Sequence, residues 1–242
     1  MAEFTEIKAP TIRELFEKQL RDRIFSGELK PGDRIPTERE LARQMKISKS
    51  IVHLGISKLE AEGFLETVPR KGVTVADYTR TGNVSTLTAL LTYSGGEIDR
   101  RTLRSMVDLR DAMEGKAMRL LAGSHTDEDI RVLQEDEESL RAAVDEGSTE
   151  DAAEALYRYH LDLSVRCGNT IFPMILNSFR EISLILWRQS VELFCADETL
   201  NMVRAYTELI GKGEGKRAAE LFSENCAEFI RLASGGKEDD RL

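Results

Sequence analysis

The chain contains no run of about eighteen apolar residues, the minimum for a membrane-spanning helix, and its first ten residues, "MAEFTEIKAP", have neither the basic stretch nor the apolar core of a secretion signal. A protein that stays in the cytoplasm, with no membrane partner, is expected. Cysteine is scarce: Cys167, Cys195 and Cys226 form no CxxC pair, and three cysteines cannot all be bonded within one chain, which fits a reducing compartment. Histidine is equally scarce, with only His53, His125 and His160. Catalytic motifs are missing too. There is no GxSxG, no HExxH, and no cysteine with a recognisable histidine partner. The glycine-rich "GKGEGK" at 211–216 fails as a phosphate loop, because Ile210 stands where a glycine is needed and Arg217 where Ser or Thr is needed. These absences argue against an enzyme.

What is present is an uneven distribution of charge. The net charge of −9 over 242 residues argues against a nucleic-acid binder only as an average. Residues 1–78 hold 14 basic and 13 acidic side chains, whereas the remainder holds 20 and 30. Between Lys30 and Lys58 seven basic residues face three acidic ones. A locally basic N-terminal unit joined to an acidic C-terminal one is expected if only the first meets phosphate.

The N-terminal pattern gives that unit a shape. "TIRELFEKQLRDRIFSGEL" spaces Ile12, Leu15, Phe16, Leu20 and Ile24 by threes and fours, with Thr11 suited to capping and Gly27 to termination. Thr37 followed by Glu40 has capping-box spacing and opens a second helix to about Met45. A third helix starts at Ser48, turns Ile51, Val52, Ile56 and Leu59 inward, and stops near Gly63. "FLETV", the basic turn "PRKG" and "VTVAD" read as a β-hairpin. Three helices and a hairpin make a winged helix-turn-helix. In that fold Ser48, Lys49, Ser50 and His53 stand at the exposed start of the recognition helix, with Arg70 and Lys71 at the wing tip.

The small polar stretch "TRTGNVST" fits a linker, placed at 79–84. From residue 85 to 242 the pattern is helical throughout. Expected helices are Ser85–Tyr93, Ile98–Ala122, Asp127–Glu146, Glu150–Cys167, Thr170–Phe194, Glu198–Ile210 and Lys216–Ala233. "TIFPMILNSFREISLILW" is apolar on nearly every face, which predicts a helix at the centre of the bundle or in a dimer interface. The fold class is therefore mainly α.

Within the bundle, "AEALYRYHLDL" sets His160 in an apolar run. It is a metal ligand, a contact for a bound molecule, or a packed core residue. Arg110 has Glu114 four residues on, the spacing of an ion pair along one helix face.

The segment "LKPGDRIPTERELARQMKISKSIVHLGISKLEAEGFLETVPRKGVTVAD" resembles the DNA-binding domain of GntR-type bacterial transcriptional regulators, and "LRDAMEGKAMRLLA", "YHLDLSVRCGNTIF" and "RAAELFSEN" resemble their FadR-type helical ligand-binding domain, called FCD. The resemblance implies a homodimer that binds a near-palindromic operator in double-stranded DNA under the control of a small-molecule effector. It carries DNA contacts onto Arg39, Lys49, Ser50, His53, Arg70, Lys71 and Gly72. The family usually has arginines where this chain has Lys49 and His53, and a glutamate where it has Leu54, so a different operator sequence is expected.

Many such helical domains hold a metal with an aspartate and a histidine four apart and two later histidines. Here His160 keeps one position, but the others hold Leu156, Tyr206 and Asn225. One imidazole is a poor site for zinc, nickel or iron, so no metal or other cofactor is expected. The resemblance instead implies effector contacts at Arg110, Tyr157, His160, Tyr206 and Asn225, with a carboxylate or acyl-CoA as ligand. The alternatives are a purely structural helical domain and a metal-dependent sensor with an atypical ligand set.

Overall fold

The structure is a computed structural model that describes residues 9–93 and 100–234. Contacts divide the chain into two compact units, Met1–Tyr93 and Ser94–Leu242.

The first unit holds helices α1 (Ile12–Phe25), α2 (Glu38–Met45) and α3 (Lys49–Ala61), strands β1 (Leu65–Val68) and β2 (Gly72–Val75), a helical turn α4 (Tyr78–Thr81) and helix α5 (Val84–Tyr93). The expected caps form. Thr11 with Glu14, and Thr37 with Glu40, make reciprocal capping boxes, and Ser48 Oγ accepts from the Ile51 amide. The strands pair antiparallel from Leu65↔Val75 to Val68↔Gly72, and Arg34 adds a bridge to Thr74. Phe16, Leu20 and Ile24 of α1 pack on Val52, Ile56 and Leu59 of α3 and on Phe64 and Val75 of the wing. Ile12 and Leu15, which share the spacing of these residues, are more than half exposed, so the buried stripe of α1 begins only at Phe16.

Gly55 explains how closely α1 and α3 approach. A Cβ there would lie 2.4 Å from the Phe16 ring, so the helix accepts glycine's propensity cost to let the ring sit against its backbone. Arg21 Nη2, 2.6 Å from Glu62 Oε2, ties the same two helices at the edge of the core.

The stretch expected to be a linker has structure of its own. Asp77 precedes α4, and Asn83 Oδ1 accepts from the amides of Ser85 and Thr86 while Thr86 Oγ1 accepts from the Asn83 amide. Asn83 and Thr86 cap the start of α5. Helix α5, expected in the second unit, packs with the first. Ala89 and Leu90 meet its core, Thr86 is buried beside Gly63, and the Tyr93 ring lies edge-on to Phe25 at 4.7 Å.

The second unit is helical among its described residues: α6 (Arg100–Ser124), α7 (Asp127–Asp145), α8 (Thr149–Arg166), α9 (Phe172–Ser178), α10 (Arg180–Phe194), α11 (Ala196–Gly211) and α12 (Gly215–Ala233). The expected start of the first of these at Ile98 lies outside the described residues. Helix α6 packs along α12 and α8, while α8 is flanked by α7 and α10. At Gly215 a Cβ would meet Ala122 Cβ at 2.6 Å and the α6 backbone at 2.8 Å, so only glycine lets α12 begin there. The helix expected over Thr170–Phe194 is broken at Phe179, whose ψ of 14° interrupts it. Its first part is not central either. Ile171 and Met174 are more than half exposed, and the burial is carried by Leu176, Ile182, Leu186 and Trp187. Among the described residues no helix is long and apolar enough to cross a membrane.

Candidate functional site

In the first unit, the start of α3 and the tip of the wing present Lys49, Ser50, His53, Arg70 and Lys71 to solvent. Ser48 is exposed too, but its hydroxyl is engaged as the helix cap. Arg39 on α2 is exposed, and beside it Glu38 faces α3, with His53 Nδ1 at 2.8 Å and Lys49 Nζ at 3.6 Å. The contact with His53 holds the Glu38 carboxyl below its ordinary range. Fifteen residues separate the two partners, so no local spacing announces this clamp. It orients the imidazole through its Nδ1. Leu54, next to His53, is 53% exposed, a placement suited to a thymine methyl.

The wing tip is shaped by backbone. Arg70 adopts φ of +67° and Gly72 +89°, so the hairpin turns within the basic sequence itself. The Arg34 guanidinium lies 3.4 Å from where a Gly72 side chain would begin, adding a third cation to Arg70 and Lys71. Only the bridge to Thr74, a tertiary feature, places Arg34 there.

In the second unit, α6, α8, α10, α11 and α12 enclose a cavity of about 50 Å³. Arg110, His160, Tyr206 and Asn225, four of the five expected effector contacts, line it. Tyr157 does not. One turn before His160 on α8, it faces α9, where its hydroxyl donates to Asn177 Oδ1 at 2.6 Å and Arg180 covers its ring at 5.3 Å.

The residue that organises this cavity is Glu114, which is fully buried and which its spacing marks only as a partner of Arg110. Its Oε1 accepts from Arg110 Nε at 2.8 Å, and its Oε2 lies against His160 Nδ1. Burial alone would raise this carboxyl. The Arg110 guanidinium and His160 outweigh that and hold it at about 2, so it is ionised. His160 is therefore both a packed residue in close contact with Glu114 and a wall of the cavity. Its ring stacks on Trp187 at 4.6 Å, and the Arg110 guanidinium carbon lies 3.3 Å from the centre of the same indole.

On the opposite wall Asn225 Nδ2 donates to the Tyr206 hydroxyl, and burial raises the phenol so that it remains protonated. Burial also pushes the nearby Cys226 thiol up to about 12, which makes it a poor nucleophile and metal ligand. Trp187 Nε1 is buried without an acceptor among the described residues.

The donors do not fit a metal. The one carboxylate beside His160 is taken by a permanent cation, the later positions are a bonded Tyr–Asn pair, and Leu156 is apolar. Among the described residues no group of three or more His, Cys, Asp or Glu is placed to hold one. The arrangement instead suits an anion. Glu114 takes only the Nε of Arg110, leaving the paired terminal nitrogens of the fork for a second carboxylate.

Comparison with known proteins agrees with both units. Residues 11–75 match the family model described as "Bacterial regulatory proteins, gntR family", and residues 105–226 match that of the FCD domain. Mce2R, an HTH-type transcriptional regulator of Mycobacterium tuberculosis, is 30% identical over 171 residues, which span 69% of this chain and 68% of the relative. LutR, an HTH-type transcriptional regulator of Bacillus subtilis, is 22% identical over 223 residues, 90% of this chain and 99% of the relative. Among solved structures, one described as Lar, which controls expression of the Listeria monocytogenes agr system, shares the fold with a TM-score of 0.62 at 18% identity, covering 96% of this chain and 100% of that one. The chain belongs to the GntR family of bacterial transcriptional regulators, in the group whose helix-turn-helix domain is joined to an effector-binding FCD domain, and it is a DNA-binding regulator rather than an enzyme.

Proposed function

We propose that this regulator senses a small organic carboxylate, bound without a metal in the cavity of its second unit, and that the ligand changes its affinity for a near-palindromic operator bound as a homodimer. The observation that carries the reading is the Arg110 fork, anchored at Nε by Glu114, stacked on Trp187 and lining the cavity. The guanidinium, only 11% exposed and held at one nitrogen by Glu114, presents its remaining donors at the cavity wall, and a ligand carboxylate supplies two oxygens in matching geometry. The unpartnered indole N–H on the same wall is a further donor.

On the DNA side, Lys49, Ser50, His53 and Leu54 read the major groove, and Arg39, Arg34, Arg70, Lys71 and the backbone at Gly72 meet phosphate or the minor groove. Coupling between the two sites of about 1–3 kcal/mol corresponds to a roughly 5- to 150-fold change in operator affinity. The test uses the full chain, stripped with EDTA, and an operator selected from a random DNA library. Operator affinity should change at least fivefold on adding short carboxylates such as propionate or lactate, with no metal present. A response that requires an added divalent cation, or no response to any carboxylate, contradicts the reading.

A further inference from the structure

Helix α7 buries a single stripe, and one member of that stripe is charged. Leu133, Asp136, Leu140 and Ala143 follow one another by threes and fours and all face inward. Asp136 is only 5% exposed, in a row where the pattern calls for an apolar side chain. Its Oδ1 accepts from Arg158 Nε of α8 at 2.7 Å, but Arg158 is half exposed, so water screens much of that charge. Its Oδ2 is buried and has no partner among the described residues. On α8, Asp162 stands four residues after Arg158 on the same helix face, and its carboxyl is within hydrogen-bonding reach of Asp136. Two acids thus meet where α7 packs on α8, with one partly screened cation beside them.

We propose that Asp136 and Asp162 share one proton across the seam between α7 and α8, a proton-operated clasp that tightens the second unit in mildly acidic solution. The shared proton gives the orphaned Oδ2 a partner and removes the repulsion between two carboxylates. Burial and the Asp162 charge together push the Asp136 carboxyl up to about 6, so the proton belongs to the pair rather than to either residue. The other charged and titratable groups along this seam are Tyr159 from α8, Arg204 from α11, and Glu137 and Arg141 from α7 itself. Glu137 is also raised by burial, but its contacts are with Thr207 and Arg204 on α11, which sets it apart from the pair. The setting is the reverse of that of Glu114, which Arg110 and His160 hold ionised. A raised folded value means that the stability the pair contributes is complete below the ordinary aspartate value of 3.8 and is lost as the pH rises through about 6.

The experiment is urea unfolding of the full chain between pH 5 and pH 7.5, followed by the emission of Trp187, the single tryptophan, which lies on α10 of the second unit. Asparagine at either position imitates the protonated acid. Asp136→Asn keeps an acceptor for Arg158 and offers an amide donor to Asp162, while Asp162→Asn offers one to Asp136 Oδ2. Relative to either variant, the wild-type folding constant should fall roughly tenfold as the pH rises across this range, and at pH 7.5 both variants should be the more stable proteins. Other groups that titrate here, the histidines among them, cancel in the comparison. Asp162 is only partly buried, so Asp162→Asn carries the test if Asp136→Asn fails to fold. Wild-type and variant stabilities that run parallel from pH 5 to pH 7.5, or an Asp162→Asn protein less stable than wild type at pH 7.5, would overturn the clasp.

Discussion

Glu38 with Lys49 and His53, and Glu114 with Arg110 and His160, are the same three kinds of group in two settings. In the first unit the side chains are 29%, 71% and 65% exposed, whereas in the second they are 0%, 11% and 3% exposed. Water and salt screen the first cluster, so its ion pairs exchange readily with phosphate oxygens and base edges at little cost. The second is largely withdrawn from water, with Glu114 wholly buried. Its charges are balanced by one another, and a new anion can enter only by taking donors that Glu114 does not use. On the proposed reading, one cluster is a surface for an external polyanion and the other a receptacle for a single acid.

The largest effect that would break this contrast comes from Glu114→Gln. Removing one partner of a buried ion pair costs about 3–5 kcal/mol, which should lower the melting temperature by on the order of 10 °C by scanning calorimetry. The same residue predicts an acid dependence. Its carboxyl sits at about 2 when folded against an ordinary value of 4.5. A depressed folded value means that the stability it contributes is complete above that ordinary value and is lost as the pH falls toward 2. Urea midpoints between pH 6 and pH 3 should therefore fall more steeply for the wild-type chain than for Glu114→Gln.

An intermediate effect is expected on DNA. Replacing Lys49 and Arg70 together with alanine should weaken operator binding at least tenfold. It should also reduce the slope of log affinity against log salt by up to about 4, because the homodimer loses four cations and each leaves one phosphate with its counterion in place. Leu54→Glu should weaken binding, since a carboxylate repels phosphate and cannot pack on a thymine methyl, while leaving the melting temperature within a degree or two. The smallest effect is that of Glu38→Gln on stability, within about 0.5 kcal/mol as for other exposed pairs. That variant should nonetheless change base preference at the position His53 faces, measured by selection from a random library. A Glu38→Gln protein as unstable as Glu114→Gln would erase the distinction between the two clusters.

The first unit is the more legible in sequence because its determinants are local. Capping boxes at Thr11 and Thr37, the helix start at Ser48 and the glycine at the wing turn are each written within a few residues. In the second unit the helices are legible and their mutual register is not. The i, i+4 spacing offers Arg110 and Glu114 as a pair, yet nothing local says that α8 brings His160 to the other Glu114 oxygen. Register also decides Tyr157, which the α8 surface turns away from the cavity and toward Asn177. The break at Phe179 carries no glycine or proline to announce it. The unit boundary lies beyond residue 84 because "TRTGNVST" has the composition of a linker and the work of a cap, and α5 finds its apolar partners in the first unit.

The chain contains a single tryptophan, Trp187, and it forms the wall against which Arg110 and His160 stack. Its emission therefore reports on the cavity alone. Titrating EDTA-treated protein with propionate or lactate should produce a saturable change in Trp187 fluorescence, which Arg110→Lys largely abolishes while keeping the charge and most of the melting temperature, because an ammonium cannot reproduce the fork. An unchanged emission, a change that appears only after a divalent cation is added, or an Arg110→Lys protein that responds like wild type would contradict a metal-free carboxylate site.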